Sequence, residues 1–301
     1  MFGVKSTLVS ALASRAGPRI ARVAPALTFK ILHSWPDGVE KLNSSAFVLS
    51  FDCETERDVR VLPRLIQQLG DAGVRASFAV IGALAERFPD PHREIVDAGH
   101  EALNHGYSEH TSISEDGSYE STFYYNDLTQ QKMLDEIVRG ARAIETVCGV
   151  TPVGFRAPHF GTLKVSAGDI DRLYGALLES GAMYSSSVCD VDALRLGFGR
   201  HGPRLPEFPL ASHPDRPLAV LDSWSTVAVF GDDYVPGSLL NPIERLLRRL
   251  AGAAVPRFGS VYLDPAQVVE LPEFVECLHL LGEVQSDISV LRYRDLLKRA
   301  N

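Results

Sequence analysis

Three short clusters of polar residues carry the side chains that could do chemistry in this chain. The first cluster holds Asp52 and Glu54, two residues apart at the end of an apolar run. Where the chain bends, two carboxylates at this spacing can turn into one pocket, so that one binds a cation while the other accepts a proton. A solvated acidic loop explains the same pair, and the pair alone does not decide between the two.

The second cluster covers residues 104–110 and contributes two imidazoles, those of His105 and His110. Neutral imidazole is a preferred ligand for zinc and similar ions. The Gly-Tyr-Ser turn between the two histidines can fold both rings onto one ion. His100 lies before the predicted strand rather than after it, so we expect it to be a bystander.

The third cluster, over residues 155–160, places Arg156 at a strand end, before a turn that Pro158 stiffens. A guanidinium there can orient a carboxylate through a two-point pair. The backbone N–H groups after Pro158 could polarise an acyl oxygen. An internal salt bridge from Arg156 to Asp52 is the plainer explanation, and it is compatible with catalysis.

All three clusters follow predicted strands within a regular alternation of short apolar runs and helical patterns. The predicted strands of this alternation cover residues 46–52, 74–82, 101–104, 153–156, 183–187 and 260–264. Such an alternation is typical of a parallel α/β sheet or barrel, in which ligands collect at the carboxyl ends of the strands. Residues 111–126 show no clear period, so we predict that they pass over the surface, where insertions often cover sites.

Less regular elements are predicted in the second half of the chain. Between residues 190 and 236 we predict short strands at 205–210, 218–224 and 226–230, separated by loops. Helical patterns then cover 238–251 and 265–281.

Length and composition fit one large domain that does not bind nucleic acid. Of the 301 residues, 45% are hydrophobic, which is enough for a single large core. The net charge of -8 gives no basic field that would hold a polyanion. The four cysteines are scattered and form no CxxC pair, so we expect reduced thiols.

We predict a basic, amphipathic N-terminal appendage over residues 1–45 and a catalytic domain over residues 46–301. The first 36 residues contain lysine and arginine but no acid. This pattern permits peripheral contact of residues 1–36 with an anionic membrane, and it equally fits a helix that closes the domain or a frayed tail. The apolar runs are too short for a signal peptide or for the roughly 20 residues of a membrane span. We therefore expect a cytoplasmic location, at the inner face of the membrane if the appendage binds lipid.

In combination, the clusters resemble the motifs of the polysaccharide deacetylase family, also called the NodB homology family or carbohydrate esterase family four. Residues 49–54 resemble its first motif in the S-F-D-x-E variant, residues 99–108 its second and residues 155–158 its third. Similar segments between the motifs extend the resemblance over about residues 46–298.

The resemblance implies a distorted (β/α)7 TIM-like barrel and a divalent metal, with Zn²⁺ as the expected ion. It also implies hydrolysis of an N-acetyl or N-formyl group of an amino sugar, in a polysaccharide or in a lipid- or nucleotide-linked precursor. Asp52 is implied as the general base, and Arg156 as the residue that holds it. Glu54 and His105 are implied as metal ligands, and the amide N–H of His159 as a donor to the developing oxyanion.

The third metal ligand is left open between two adjacent residues. In the family, the second histidine stands four residues after the first, and that position is Glu109 here, with His110 one residue further on. We predict His110, because imidazole matches the usual ligand, although a carboxylate oxygen is also a sound one.

The final motif departs further, because Asp264 stands where the family carries the histidine that protonates the leaving amine. An aspartate can donate that proton only if burial or a neighbouring charge raises its pKa. We predict Asp264 as the acid, with His159 and His213 as alternatives, and altered or lost activity also fits this departure.

Two other functions agree with the same residues. One is a small-molecule amidase or cyclic-imide hydrolase, since relatives with the D-x-E type of first motif vary in substrate. The other is a catalytically silent carbohydrate-binding relative, which Asp264 and the shifted histidine suggest. Trp224 and Tyr124 are candidates for stacking on sugar rings, and they fit core or lid packing equally well.

Overall fold

The computed structural model describes residues 16–36, 38–39, 41–115, 119–159, 167–196, 205–228 and 233–297. Residues 1–15 of the predicted appendage lie outside these ranges, as does residue 160 of the third cluster. The predicted boundary near residue 45 stays a prediction.

The strands are, in chain order, β1 (Ala46–Cys53), β2 (Ser77–Val80), β3 (Glu101–Asn104), β4 (Thr111–Ile113), β5 (Tyr119–Ser121), β6 (Gly154–Phe155), β7 (Tyr184–Ser185), β8 (Ser212–His213), β9 (Arg216–Val220), β10 (Phe258–Leu263) and β11 (Ser289–Val290). The helices are α1 (Gly17–Val23), α2 (Pro25–Leu32), α3 (Glu56–Asp71), α4 (Gly82–Arg87), α5 (Pro89–Asp97), α6 (Gln130–Cys148), α7 (Ala167–Ser180), α8 (Asp190–Leu196), α9 (Leu240–Ala251), α10 (Pro265–Val268), α11 (Pro272–Val284) and α12 (Tyr293–Leu297).

A curved parallel sheet forms the centre of the fold. Its strands neighbour one another in the order β10-β1-β2-β3-β6-β7, and β11 also pairs with β1. All of these pairings are parallel. Helices connect successive strands, as parallel pairing requires. The predicted distorted (β/α)7 barrel is confirmed.

The barrel is closed irregularly between β7 and β10. Glu207 forms a single parallel bridge with Ser185, and the Ala211 N–H donates to the Ser260 carbonyl at 2.8 Å. The prediction of a strand over 205–210 is therefore wrong, since this segment forms isolated bridges. Pro206 and Pro209 have no N–H to donate, which prevents a continuous ladder there.

The regular half of the sheet follows from the apolar pattern of its strands. All eight residues of β1 are buried, as expected for a central parallel strand. Phe51 of β1 stacks on Phe78 of β2, with 5.1 Å between ring centroids. Directly after β1, Thr55 caps α3 and forms a reciprocal capping box with Asp58, which fixes the turn at Glu54.

Several predicted elements differ from the structure in detail. The helix predicted over 265–281 is divided into α10 and α11, because Pro272 disfavours helical backbone at the residue before it. Residues 224–228 form a turn of π-helix instead of the predicted strand. Residues 111–126, predicted as a surface excursion, contain the antiparallel β4–β5 hairpin.

The helices α1 and α2 pack on the barrel. Phe29 belongs to the same apolar core as Phe47 of β1. The Arg257 guanidinium donates to the Lys30 carbonyl, while Val23 and Leu27 are exposed. Among the described helices, none combines the length and the apolar composition needed to span a bilayer.

Candidate functional site

Polar side chains converge at the carboxyl ends of four strands of the central sheet. Asp52 is the last residue but one of β1, and Glu54 follows that strand. His105 follows β3, Arg156 follows β6 and Asp264 follows β10. Four of the five residues are buried, and the Glu54 side chain is only 12% exposed. The register of the sheet explains this convergence, because parallel strands end at the same edge.

Three side chains form a compact group of potential metal ligands: Glu54, His105 and His110. The Glu54 Oε1 atom lies 3.3 Å from His105 Nε2 and 3.2 Å from His110 Nε2. One ligand atom from each residue lies within 4.8 Å of the others. The structure thus brings together the three residues that the sequence singled out as ligands.

Backbone carbonyls orient both imidazoles. The Nδ1 atom of His105 lies 2.8 Å from the Arg156 carbonyl, and that of His110 lies 3.4 Å from the Ser108 carbonyl. A carbonyl only accepts hydrogen bonds, so each Nδ1 carries a proton and each ring turns Nε2 toward Glu54, where a deprotonated Nε2 would offer its lone pair to a metal ion. The same arrangement orients histidine ligands in metal proteins.

The charges of this group suit a cation. Burial opposes ionisation of Glu54, but the positive charge of protonated His110 and the hydrogen bond from His105 outweigh it and hold the pKa of Glu54 well below its usual range. Burial lowers the pKa of His110. The buried Nε2 atom of His110 has no hydrogen-bond partner. A carboxylate and two Nε2 atoms that face one point suit a positive ion, which would balance the Glu54 charge in place of a proton on either ring.

Thr111, the first residue of β4, holds the other oxygen of Glu54. Its Oγ1 atom donates to Glu54 Oε2 at 2.6 Å. The hairpin also binds the preceding residue, because the Thr122 N–H donates to the His110 carbonyl at 2.8 Å. Sequence reasoning missed Thr111, whose only signal was its place directly after His110.

Glu109 lies outside the ligand group. Its two carboxylate oxygens accept from the Arg87 guanidinium at 2.9 and 3.2 Å, and its side chain is 36% exposed. Of the two candidates for the third ligand position, the geometry therefore favours His110.

Asp52 and Arg156 form a buried ion pair beside the ligand group. Arg156 Nη1 donates to Asp52 Oδ1, and Asp52 Oδ2 lies 3.9 Å from His105 Nε2. The rest of the guanidinium is also bonded: Nε donates to the Ser186 carbonyl, and Nη2 donates to Ser186 Oγ and to the Tyr293 hydroxyl. Arg156 thus fixes one oxygen of Asp52 and leaves the other beside the ligands.

His159 lies against the ligand group in an unusual backbone conformation. Its φ of 52° makes it the one non-glycine residue with positive φ in the described part of the chain. Its Nε2 atom is 3.2 Å from the His110 carbonyl, and its ring lies between those of His110 and Tyr124, with centroid distances of 5.0 and 5.3 Å. Left-handed backbone at a non-glycine residue costs on the order of 1 kcal/mol, and such strain often accompanies functional sites. The predicted role of its N–H as an oxyanion donor stays a prediction.

Asp264 is buried beside Asp52, because the register pairs Leu263 with Phe51. The Ser223 hydroxyl accepts from the Asp264 N–H at 2.8 Å and lies 3.2 Å from Oδ2. Burial, followed by the negative charge of Glu54, raises the pKa of Asp264 well above its usual value.

The other residues considered from the sequence take more distant places. His213 lies in the β8–β9 hairpin, where its Nδ1 accepts from the Asp215 N–H and burial lowers its pKa to about 4. Trp224 packs edge-on against Tyr119 of β5. Burial, followed by the charge of Asp58, raises the pKa of Tyr119 to about 12. Through this ring contact, the β4–β5 hairpin packs against the segment that contains Trp224. Tyr124, beside His159, is 42% exposed.

Comparison with known sequences finds one matching family over the first half of the barrel. A model described as "Polysaccharide deacetylase" matches residues 40–174, which contain all three clusters. The peptidoglycan-N-acetylglucosamine deacetylase of Bacillus cereus is 24% identical over 117 residues. That alignment covers 39% of this chain and 37% of the relative, so the chain matches little more than a third of the relative's length.

Solved structures share the fold over almost the whole chain. A chain from Mycobacterium smegmatis, assigned to the polysaccharide deacetylases, has a TM-score of 0.62 at 24% identity and covers 89% of this chain and 92% of its own length. The Bc1960 peptidoglycan N-acetylglucosamine deacetylase has a TM-score of 0.53 at 16% identity, over 91% of this chain and 96% of its own. At these identities the two structures show the fold alone.

Proposed function

We propose that this chain, whose residues 40–174 match the polysaccharide deacetylase family, is a metal-dependent hydrolase that removes the N-acetyl group of an amino sugar. The observation that carries the proposal is the convergence of Glu54, His105 and His110 beside the Asp52–Arg156 pair. A carboxylate and two imidazoles would bind the metal, while a second carboxylate stands ready to accept a proton.

The donor set fits a zinc-like ion. Two imidazole nitrogens and a carboxylate oxygen are usual Zn²⁺ ligands, and three protein ligands leave further positions open, as catalytic sites require. The buried Nε2 of His110, which has no hydrogen-bond partner, supports a ligand role. When bound, such an ion lowers the pKa of a water molecule toward neutrality and polarises an acyl oxygen.

Asp52 is the proposed general base. Arg156 holds its Oδ1 atom, so the carboxylate cannot turn away from the ligands. Its Oδ2 atom lies 3.9 Å from His105 Nε2 and can accept the proton of a water that attacks the acyl carbon. The oxyanion that forms would take a hydrogen bond from the N–H of His159, whose left-handed backbone directs this peptide group.

Asp264 is the proposed general acid for the leaving amine. It follows β10 directly beside Asp52, so it lies close to the place where the acyl bond breaks. Burial is the largest cause of its raised pKa, and a bound cation does not remove burial. A carboxyl whose pKa is raised in this way holds its proton to a higher pH than a free aspartate and can give that proton to the departing nitrogen.

The proposed substrate is an N-acetylglucosamine unit, which the Bacillus cereus relative's name suggests. The exposed ring of Tyr124 and the Tyr119–Trp224 pair are the proposed contacts for sugar rings. A lipid- or nucleotide-linked form of the substrate, and a location on the cytoplasmic side of the membrane, belong to the same proposal and rest on the sequence alone.

The test is acetate release by the purified, zinc-loaded protein from N-acetylglucosamine oligomers, peptidoglycan and a nucleotide-linked N-acetylglucosamine. We expect turnover on at least one of the three. Asp52→Asn should remove it, whereas the matched surface variant Glu109→Gln should keep it. Absence of acetate and formate from every acylated amino sugar would end the proposal.

Two outcomes of the same assay would favour the other functions. Cyclic imides and small amides are included as substrates, and their hydrolysis without acetate release would identify a small-molecule amidase. Zinc binding that depends on His105, without turnover of any substrate, would identify a catalytically silent relative.

A further inference from the structure

A residue of α12, the last described helix, is hydrogen-bonded to the Arg156 guanidinium. The hydroxyl of Tyr293, the first residue of α12, accepts from Arg156 Nη2 at 2.9 Å. The same hydroxyl accepts from Ser186 Oγ at 3.2 Å, and Tyr293 is fully buried. Tyr293 is therefore bonded to Nη2, whereas Asp52 is bonded to Nη1.

The donors of Arg156 show what the tyrosine contributes. Nη1 points to Asp52 and Nε to the Ser186 carbonyl, which leaves the two Nη2 hydrogens for Ser186 Oγ and the Tyr293 hydroxyl. Because the guanidinium is planar, two bonds at Nη2 fix the rotation of the whole fork. The direction in which Nη1 meets Asp52 therefore depends on the position of the Tyr293 hydroxyl.

Tyr293 is itself held rigidly by the barrel. Its N–H donates to Ser77 Oγ at 3.2 Å, and Ser77 Oγ donates to Glu101 Oε2 at 2.7 Å. The N–H of the next residue, Arg294, also donates to Glu101 Oε2. The Tyr293 ring packs against Tyr184 and Phe208, with centroids 5.6 and 5.4 Å away. The backbone bond and the ring contacts together restrict where the Tyr293 hydroxyl can lie.

We infer that Tyr293 is a positioning residue of the hydrolytic reaction, whose phenol orients Arg156 so that Asp52 faces the reacting water. The inference rests on the proposed function and extends it to the end of the chain. Tyr293 is 137 residues from Arg156 in sequence and belongs to none of the three clusters.

Tyr293→Phe tests the inference, since it removes the hydroxyl and keeps the ring that packs in the core. We expect kcat for acetate release to fall about tenfold, as for the loss of a hydrogen bond to a charged group, with KM changed less than about twofold. Bound zinc should stay at the wild-type amount, because Tyr293 touches no ligand.

Tyr184→Phe is the matched control. It also removes a buried phenol, whose hydroxyl donates to Glu101 Oε1 at 3.0 Å, but none of its described hydrogen bonds reaches Arg156. A merely structural role predicts equal effects of the two variants on kcat. We expect the melting temperature to fall in both and kcat to fall only in Tyr293→Phe.

An Arg156→Lys background shows whether the tyrosine acts through the arginine. Lysine has no planar fork to orient, so Tyr293→Phe should cost no further activity there. An equal loss in both backgrounds would overturn the inference.

NMR of ¹⁵N-arginine side chains separates this inference from the proposed function. The Arg156 Nε–H resonance, assigned by its disappearance in Arg156→Lys, should shift or broaden in Tyr293→Phe and stay in place in Tyr184→Phe. An unchanged resonance in Tyr293→Phe would overturn the positioning role even in an active enzyme. Absence of turnover in the wild type would reject the deacetylase proposal and leave the NMR result to decide whether Tyr293 holds Arg156.

Discussion

Two buried glutamates, at opposite ends of the same barrel, differ in how completely their oxygens are bonded. Glu101, at the start of β3, accepts from the Ser77 and Tyr184 hydroxyls and from the Arg294 N–H. Glu54, after the end of β1, accepts from Thr111 on one oxygen, and its other oxygen faces two imidazoles. Both oxygens of Glu101 are filled by donors, and we call this the saturated end of the barrel. At the Glu54 end the buried Nε2 of His110 has no hydrogen-bond partner, and we call it the unsaturated end.

The pKa values of the two carboxyls move in opposite directions because their neighbours differ in charge: hydroxyls and backbone N–H groups bond Glu101, whereas imidazoles that can carry a positive charge face Glu54. Burial raises the pKa of Glu101, and its three donors only partly offset it. At Glu54 the neighbouring imidazoles outweigh burial and lower the pKa. Glu101 and Glu54 are the same residue type and both lie in the protein interior, so the groups around each carboxyl decide what it can do. A saturated buried carboxylate holds the fold together, whereas an unsaturated one is free to bind a ligand.

The largest effect should come from removing a ligand at the unsaturated end. His105→Ala should abolish zinc binding and reduce acetate release to the background, because Glu54 and His110 alone do not hold the ion. Glu101→Gln, at the saturated end, should keep both. Metal analysis of the purified proteins, together with the acetate assay, checks the pair. Equal zinc content in the two variants would contradict the assignment of the metal to the Glu54 end of the barrel.

Asp52→Asn should give the next largest effect. It keeps the shape of the side chain but cannot accept the proton, so we expect kcat to fall about 10²- to 10⁴-fold with zinc retained. Rates measured at saturating substrate, beside the metal content of the same sample, test this expectation. A variant that keeps more than a tenth of the wild-type rate would exclude Asp52 as the base.

Thr111→Val tests how much the hydrogen bond from the β4–β5 hairpin to Glu54 contributes to metal affinity. Loss of the hydroxyl on Glu54 Oε2 frees the ligand to rotate, and we expect zinc affinity to fall about 10- to 100-fold. Competition with a chelator gives the affinity. Thr146→Val is the control, because its hydroxyl donates to a carbonyl of its own exposed helix. Matching affinities for the two threonine variants would show that Thr111 does not hold Glu54.

A smaller effect is expected in the pH dependence of stability. A raised pKa in the folded protein means that folding stabilises protonated Glu101. This contribution is complete below the unfolded value, near 4.5, and is lost as the pH rises through the raised folded value. Glu101→Gln is neutral throughout, so its free energy of unfolding should decline less over that window. Urea denaturation at a series of pH values gives the two curves, and parallel curves would contradict the assignment.

The smallest effect is expected at Glu109, next to the proposed ligand His110 in sequence. Its ion pair with Arg87 is on the surface, so Glu109→Gln should leave zinc affinity unchanged and alter the free energy of unfolding by less than about 1 kcal/mol. His110→Gln should lose the zinc. If the zinc is lost with Glu109 instead, the ligand group described here has the wrong third member.

Some parts of the site could not be predicted from sequence because they depend on distant contacts. Which of Glu109 and His110 faces Glu54 depends on the path of the chain into the β4–β5 hairpin, whose strands have three residues each and show no readable period. Thr111 and Tyr293 act only through residues that folding brings beside them, 57 and 137 positions away. The break between α10 and α11 was readable from Pro272, whereas the irregular closure over 205–211 depends on the neighbouring strands as well as on its prolines.

The amino-acid sequence by itself determined the alternation of strands and helices and the placement of Asp52, His105, Arg156 and Asp264 after the strands. Both follow from local periodicity and from the rule that parallel strands end at one edge of a sheet. Only the tertiary structure decided which oxygens and nitrogens are left without partners. That property belongs to no single residue, since each buried polar atom is satisfied or left unsatisfied by groups that the folded chain brings to it.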